Sequence, residues 1–324
     1  MVPTSARLLA DIGGTHARLA WQAGRDAPLA DLATYPCAQH DSLHDAIRHY
    51  LAQHERPAPG ACAIGIANPV VGDRVQMTNH HWSFSIAELQ RRLGFERLLV
   101  LNDFTALALS LPALPATQLQ AIGGGAAVAQ APIALVGPGT GLGVSGLLWS
   151  GPDRCLPVAG EGGHATLAAA DAHEAAVIGL LQRRFGHVSA ERALSGPGLV
   201  NLYQALCELH GRPCHVERDA AAVSAAGLAG EDLQSTDAIE MFCSLLGSFA
   251  GNVALMLGAR GGVYIGGGIV PRWGAQVLAR SAFRERFEAK GRFAGYLREV
   301  PTRLIVADAS PALLGAARAL DLSA

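Results

Sequence analysis

Two short stretches of the chain pair glycine with threonine in a way suited to phosphate: Asp11-Ile12-Gly13-Gly14-Thr15 and Gly139-Thr140-Gly141. A glycine turn presents backbone N–H groups at close range, because no Cβ bars the approach. In the first stretch a carboxylate stands just before the turn. There it can hold Mg²⁺, or the waters around it, while the turn holds phosphate oxygens. The second stretch offers the same turn without the carboxylate. Two such turns facing one another could grip a triphosphate from both sides. Each alone also reads as an ordinary glycine-containing β-turn; the pair, with one acid in place, favours a nucleotide.

Other phosphate-binding solutions fail on their own requirements. The P-loop needs G-x-x-x-x-G-K-[ST], and the single lysine of the chain, Lys290, is followed by Gly291. The same shortage removes the protein-kinase set, which needs a lysine on a strand beside the nucleotide. A G-x-G-x-x-G does occur at Gly141, Gly143 and Gly146, and Glu161 follows at the spacing of a ribose partner. That dinucleotide fingerprint requires its glycines to open a helix. Here Leu147-Leu148-Trp149 and Gly151-Pro152 follow, which read as strand and then turn.

A second set of residues suits hydroxyl chemistry. Asp103 stands after the apolar run Leu98–Leu101 and before a helical stretch. A carboxylate fixed at the end of a rigid element can act as a base; in that place Asp is also a common helix N-cap. Glu161 and His164 flank two glycines, and Glu191 follows downstream. Carboxylates accept hydrogen bonds from hydroxyls, and imidazole gives or accepts one more. That chemistry suits an uncharged, polyhydroxylated ligand. A metal site is the rival reading, but no further His or Cys stands at a supporting spacing. A surface Glu with a core His is the plain one. Cys207, His210, Cys214 and His215 form the one cluster of metal-like type, and C-x2-H-x3-C-H matches no zinc module.

These residues need elements to position them. Residues 7–10 and 17–21 read as strands around the first turn, 42–54 as a helix, and 62–67 and 98–101 as strands, with a helix from about Phe104. The Pro- and Gly-rich stretch 112–131 reads as a crossing between lobes. Residues 133–136 and 144–149 read as strands around the second turn. Helices are expected over 171–185, 197–210, 237–257 and 272–290, then a strand at 304–306 and a helix from about Pro311. Two glycine-turn hairpins about 125 residues apart suggest a duplicated α/β architecture.

Composition sets outer limits. The chain has 324 residues, 50% hydrophobic and 16% charged, with a formal net charge of -2. That is a folding composition with no pull toward nucleic acid or an anionic membrane. Six scattered cysteines and no secretory signal read as reduced thiols in the cytoplasm. Met241–Gly258 lacks charge, but Ser244, Gly247, Ser248, Gly251 and Asn252 dilute it. Asp237 and Glu240 read as a capping box before it and Gly258 as its end. A buried helix is the reading, and a membrane span the alternative.

Taken together, Asp11–Thr15, Gly137-Pro138-Gly139-Thr140-Gly141, Leu101–Ala106, Glu161-Gly162-Gly163-His164, Val188–Arg192, Leu194–Gly198 and Gly262–Arg272 resemble the bacterial glucokinase family of the actin-like ATPase and sugar-kinase superfamily. The likeness runs from about residue 7 to about residue 318. It implies an α/β, two-lobed actin-like (ribonuclease H-like) fold, with a small lobe of 1–112 plus about 303–324 and a large lobe of 113–302, the active site in the cleft between the lobes, and ATP-dependent phosphorylation of glucose to glucose 6-phosphate. It implies that Asp103 takes the proton from the sugar 6-hydroxyl, with Asn102, Asp103, Glu161, His164 and Glu191 on the sugar. It implies that Ala10, Asp11, Ile12, Gly13, Gly14, Thr15, Gly139, Thr140, Gly141, Gly266, Gly267 and Gly268 line ATP, with Mg²⁺ on Asp11 through water. Asn79, before His80-His81-Trp82, matches a family stretch near the sugar. The resemblance also implies a cytoplasmic homodimer. A kinase for another hexose, and a non-catalytic sugar- and nucleotide-binding sensor, are the alternatives. The presence of Asp103 argues against the sensor.

Overall fold

The computed structural model describes residues 6–78, 80–215, 217–307 and 310–322. Contacts divide the chain into two units. The first runs to Pro115, takes up Asp153–Ala159 and resumes at Ala307; the second holds Ala116–Pro152 and Gly160–Val306.

The first unit is built from β1 (Arg7–Ile12), β2 (His16–Gln22), β3 (Leu29–Pro36), α1 (Leu43–Gln53), β4 (Ala61–Ile66), a small hairpin β5 (Arg74–Gln76) and β6 (Ser83–Ser85), α2 (Ile86–Leu93), β7 (Arg97–Asn102) and α3 (Asp103–Ser110). The sheet order is β3-β2-β1-β4-β7. β1 pairs antiparallel with β2 and parallel with β4, and β4 runs parallel to β7. The runs Leu8-Leu9-Ala10 and Cys62-Ala63-Ile64 are buried without a break, as strands covered on both faces require. Alternation sends Leu8, Ala10, Ile12, Cys62, Ile64 and Ile66 toward Ile47 and Tyr50 of α1. It sends Leu9 and Ala63 toward Leu313, Ala316 and Leu320 of the C-terminal helix.

The second unit contains β8 (Leu119–Gly123), β9 (Ile133–Pro138) and β10 (Leu142–Trp149). The strand β11 (Cys155–Gly160) straddles the division. Then come α4 (Ala172–Phe185), α5 (Gly196–Leu209), α6 (Ala220–Ala229), α7 (Leu233–Leu257) and β12 (Gly262–Ile265). Four short helices follow, α8 (Val270–Trp273), α9 (Ala275–Arg280), α10 (Phe283–Glu288) and α11 (Ala294–Arg298), and then β13 (Thr302–Ile305). Its strands neighbour one another as β10-β9-β12-β13-β8. β9 is antiparallel to β10 and parallel to β12, and β12 is parallel to β13. The run β10-β9-β12-β13 thus repeats the order and directions of β2-β1-β4-β7, the duplication that the paired hairpins suggest.

Four expectations are corrected. β13 joins the second sheet through its parallel pairing with β12, so the strand at 304–306 does not return to the first unit. Only the helix α12 (Pro311–Leu322) does so, packing on β1, β4 and α3. The stretch 112–131 is not all crossing, since β8 lies within it and pairs with β13. The helix expected over 272–290 is broken, with Gly274 at φ 83 and extended Ser281 as its interruptions. Helix α7 starts a turn earlier than the Asp237/Glu240 reading, because Asp232 caps it by accepting from Ser235 N; Gly258, at φ 63, ends it as read. Among the described residues α7 is the one helix long and apolar enough to cross a membrane, and most of its apolar stretch is buried inside the unit.

Candidate active site

The first glycine turn closes the β1–β2 hairpin, where Ile12 faces Ala17 and Asp11 faces Arg18. Gly13 N donates to His16 O at 2.9 Å, Cys37 N to Thr15 O at 2.8 Å, and Ala67 N to Ile12 O at 2.9 Å. The buried Cys37 thiol adds a contact to Gly13 O at 3.4 Å. The turn is therefore braced from behind, while a Cβ on Gly13 would meet nothing nearer than His16 O at 3.6 Å. Gly14 is half-buried and Thr15 exposed. Ala10 and Ile12 are fully buried in the sheet, with their side chains in the core. The Asp11 carboxylate is 13% exposed and takes both its partners on Oδ2: Arg18 Nη1 at 3.2 Å and Ser310 Oγ at 2.6 Å. No bond to Oδ1 is present among the described residues. A held carboxylate with one oxygen left over, beside an open turn, fits Mg²⁺ bound through water. Among the described residues no group of three or more His, Cys, Asp or Glu could cage a metal. The fit is thus to an ion completed by waters and phosphate.

At the same end of this sheet, two strands along, where Ile12, Ile66 and Asn102 stand in register, β7 runs straight into α3. Asn102 caps that helix, its Oδ1 accepting from Phe104 N at 2.9 Å and Thr105 N at 3.2 Å. Asp103 is therefore not the cap that its position suggested. It is the first helical residue, its Oδ1 accepting from Phe104 N at 2.8 Å, and it places a carboxylate at the positive end of α3. Capping leaves Asn102 its Nδ2 as donor, which reaches Asn68 O at 3.5 Å. Asn68 is nine-tenths buried, and its Oδ1 accepts from Thr78 N at 3.2 Å. It thus ties the 78–82 loop to Asn102. Sequence reading passed over Asn68; its one signal was the turn pair Asn68-Pro69 at the end of β4. In that loop Trp82 is buried and its Nε1 donates to His40 O at 3.0 Å. Asn79 lies outside the described residues.

In the second unit the Gly139–Gly141 turn closes the β9–β10 hairpin, with Pro138 facing Leu142. Gly139 N donates to Gly141 O, and Gly196 N, at the start of α5, donates to Gly139 O, both at 2.8 Å. Gly268 N donates to Pro138 O at 3.0 Å. Gly267 has φ 82, and a Cβ there would run into the Pro138 carbonyl, so only glycine lets these two turns lie together. A Cβ on Gly268 would meet nothing within 4 Å. Thr140 is exposed, and Gly266 N donates to Val136 O at 2.9 Å.

The Glu161–His164 turn and Glu191 meet at Leu142. Glu191 Oε2 accepts from Leu142 N at 2.9 Å. A Cβ on Gly163 would collide with the Leu142 carbonyl, so the turn packs there only as glycine. Two backbone bonds zip the segments together, Ala190 N to Ala165 O at 2.8 Å and Leu167 N to Val188 O at 2.9 Å. Ser195 Oγ donates to Glu191 O at 2.8 Å while capping α5 through Gly198 N. Glu161 and His164 are both exposed, so His164 is not a core histidine. The Cys/His cluster disperses. Buried Cys207 has its thiol pushed up to about 11, by burial and then by Cys214. His210 stacks on His173 with centroids 5.8 Å apart, and His215 pairs with Glu217 at 3.5 Å.

The family model described as "Glucokinase" matches residues 8–323. The chain is 54% identical to a glucokinase of Aromatoleum aromaticum, over 98% of this chain and 95% of that one. It is 52% identical to a glucokinase of Chromobacterium violaceum, over 96% and 88%. Among solved structures, a glucokinase from an Antarctic psychrotroph superposes with a TM-score of 0.88 at 37% identity, covering 98% of both chains. The doubled sheet is that of the actin-like ATPase fold, and the chain belongs to the glucokinase family.

Proposed function

We propose that the chain transfers the terminal phosphoryl group of ATP to the 6-hydroxyl of glucose, giving glucose 6-phosphate, in the cytoplasm and as a homodimer. Family membership supports the reaction, the location and the assembly. Bound MgATP supplies the phosphoryl group, with charge on the transferring oxygens neutralised by the ion. The N–H groups of Gly13–Thr15 and Gly139–Gly141 hold phosphate oxygens, Gly266–Gly268 lies along the adenosine, and Asp11 holds water of the Mg²⁺ shell. Asn102 donates to a ring hydroxyl through Nδ2. Glu161, His164 and Glu191, the last through Oε1, bind further hydroxyls. Asp103 accepts the proton of the 6-hydroxyl as its oxygen bonds to the γ-phosphorus and the bond from that phosphorus to the β,γ-bridging oxygen breaks, with ADP as the leaving group.

The observation that carries the base assignment is the division of labour at the start of α3. Asn102 takes the cap and fixes the backbone on which Asp103 presents its carboxylate, at the first position of the helix. The test is hexose 6-phosphate formation from MgATP with glucose, mannose, fructose and N-acetylglucosamine, for the unaltered protein and Asp103→Asn. Glucose is the expected preferred substrate. Loss of a positioned base costs on the order of 100- to 10,000-fold in kcat, with glucose binding largely kept. Near-normal turnover in Asp103→Asn would remove the base. Absence of turnover with all four sugars, despite tight sugar binding by calorimetry, would replace the enzyme with a sensor.

A further inference from the structure

We infer that Ser310 is a positioning residue for the nucleotide site, holding Asp11 in the one orientation that presents its Oδ1 to the Mg²⁺ shell. The inference rests on the reading above that Asp11 faces MgATP. Ser310 lies 299 residues from Asp11 in sequence, yet its hydroxyl donates to Asp11 Oδ2 at 2.6 Å. Arg18, opposite Asp11 in the hairpin, donates to the same oxygen at 3.2 Å. Two donors converging on one oxygen fix both χ angles of a short side chain. Arg18 alone cannot do this, since its guanidinium is 44% exposed on a long, flexible stem. Ser310 is the rigid member of the pair. Its carbonyl accepts from Leu313 N at the start of α12, and Leu313, Ala316 and Leu320 of that helix are buried against β1 and β4.

The same helix grips the same strand at its far end. Asp321 pairs with Arg7 at 2.7 Å, and Arg97 donates to the Leu320 carbonyl at 3.3 Å. The last helix thus clamps β1 at both ends, but only the Ser310 end touches a group assigned to the nucleotide. This difference supplies the control. The binding of a non-hydrolysable ATP analogue with Mg²⁺ is measured by calorimetry on the unaltered protein, Ser310→Ala, Ser310→Thr and Asp321→Asn, with glucose affinity and Tm in parallel.

Losing a hydrogen bond to a charged group is expected to weaken analogue binding about tenfold in Ser310→Ala and to raise the Mg²⁺ concentration for half-saturation. Glucose affinity stays unchanged, and Ser310→Thr, which keeps the hydroxyl, restores the analogue. Asp321→Asn lowers Tm while leaving analogue affinity within about twofold. Unaltered analogue binding in Ser310→Ala overturns the inference. So does an equal loss in Asp321→Asn, which would show that helix docking alone matters. Failure of the unaltered protein to bind the analogue would instead overturn the assignment of the nucleotide site.

Discussion

The two glycine turns sit at matching places in matching sheets, and they acquire their negative charge by different routes. In the first hairpin the carboxylate belongs to the strand itself: Asp11, one residue before the paired Ile12, opposite Arg18. In the second the matching place is Gly137, opposite Gly143, and no charge stands on either strand. The carboxylate nearest that turn is Glu191, which arrives from a separate segment and accepts the Leu142 N–H at 2.9 Å. The first turn is therefore a self-contained device of one hairpin. The second is assembled from three segments that converge on one residue, Leu142. On the reading proposed above, the duplicated scaffold has kept its strand order while its two turns differ in chemistry, the first taking metal and phosphate and the second phosphate and, through Glu191, a sugar hydroxyl.

That division predicts separable defects. Asp11→Asn keeps the size of the side chain and can keep one contact to Ser310 or Arg18, but it removes the charge offered to Mg²⁺. A charge-assisted interaction of about 2–3 kcal/mol corresponds to a loss on the order of 30- to 100-fold in kcat/KM for MgATP, with glucose affinity within about twofold. Glu191→Gln is expected to act in the opposite sense. Its amide still accepts from Leu142 N but offers a weaker partner to a hydroxyl. Glucose KM rises about tenfold while KM for MgATP moves little. Steady-state kinetics with each substrate varied in turn checks both. Equal effects of either variant on both substrates would abolish the contrast between the turns.

How far the sequence could be read follows the same contrast. Asp11–Thr15 and Asn102-Asp103 are contiguous, so residue order alone reads them at strand ends, where the structure has them. The partners of those residues come from far along the chain. Ser310 meets Asp11 only because α12 docks on β1, and Asn68 meets Asn102 only because β4 lies beside β7. Nothing in the local pattern marks Ser310, and the pair Asn68-Pro69 marks only a turn. The cap of α3 falls one position before Asp103, at Asn102; both residue types are good caps, and only backbone geometry decides between them. The fate of the strand at 304–306 was misread for a similar reason. A short apolar run states that it is buried, not which sheet buries it, and three residue pairs of parallel register with β12 outweigh its nearness in sequence to α12.

The second turn offers the sharpest small test, at Gly141. A Cβ added there would meet Glu191 Oε2 and, at 3.3 Å, its Cδ, but no other atom within 4 Å. The obstacle is the far end of a flexible side chain rather than backbone, so the fold absorbs Gly141→Ala and the carboxylate moves. Displacement of Glu191 breaks its bond to Leu142 N, which normally holds Oε1 at a fixed angle. If Glu191 serves the sugar, glucose KM should rise about three- to fivefold, from loss of about 1 kcal/mol of positioning. Tm should change by no more than about 2 °C, since no buried apolar contact is lost. Combining it with Glu191→Gln supplies the decisive reading. Residues that act through one contact are non-additive, so the double variant should resemble Glu191→Gln alone. Additive losses would mean that Gly141 serves the phosphate turn directly, and that the second turn is as self-contained as the first.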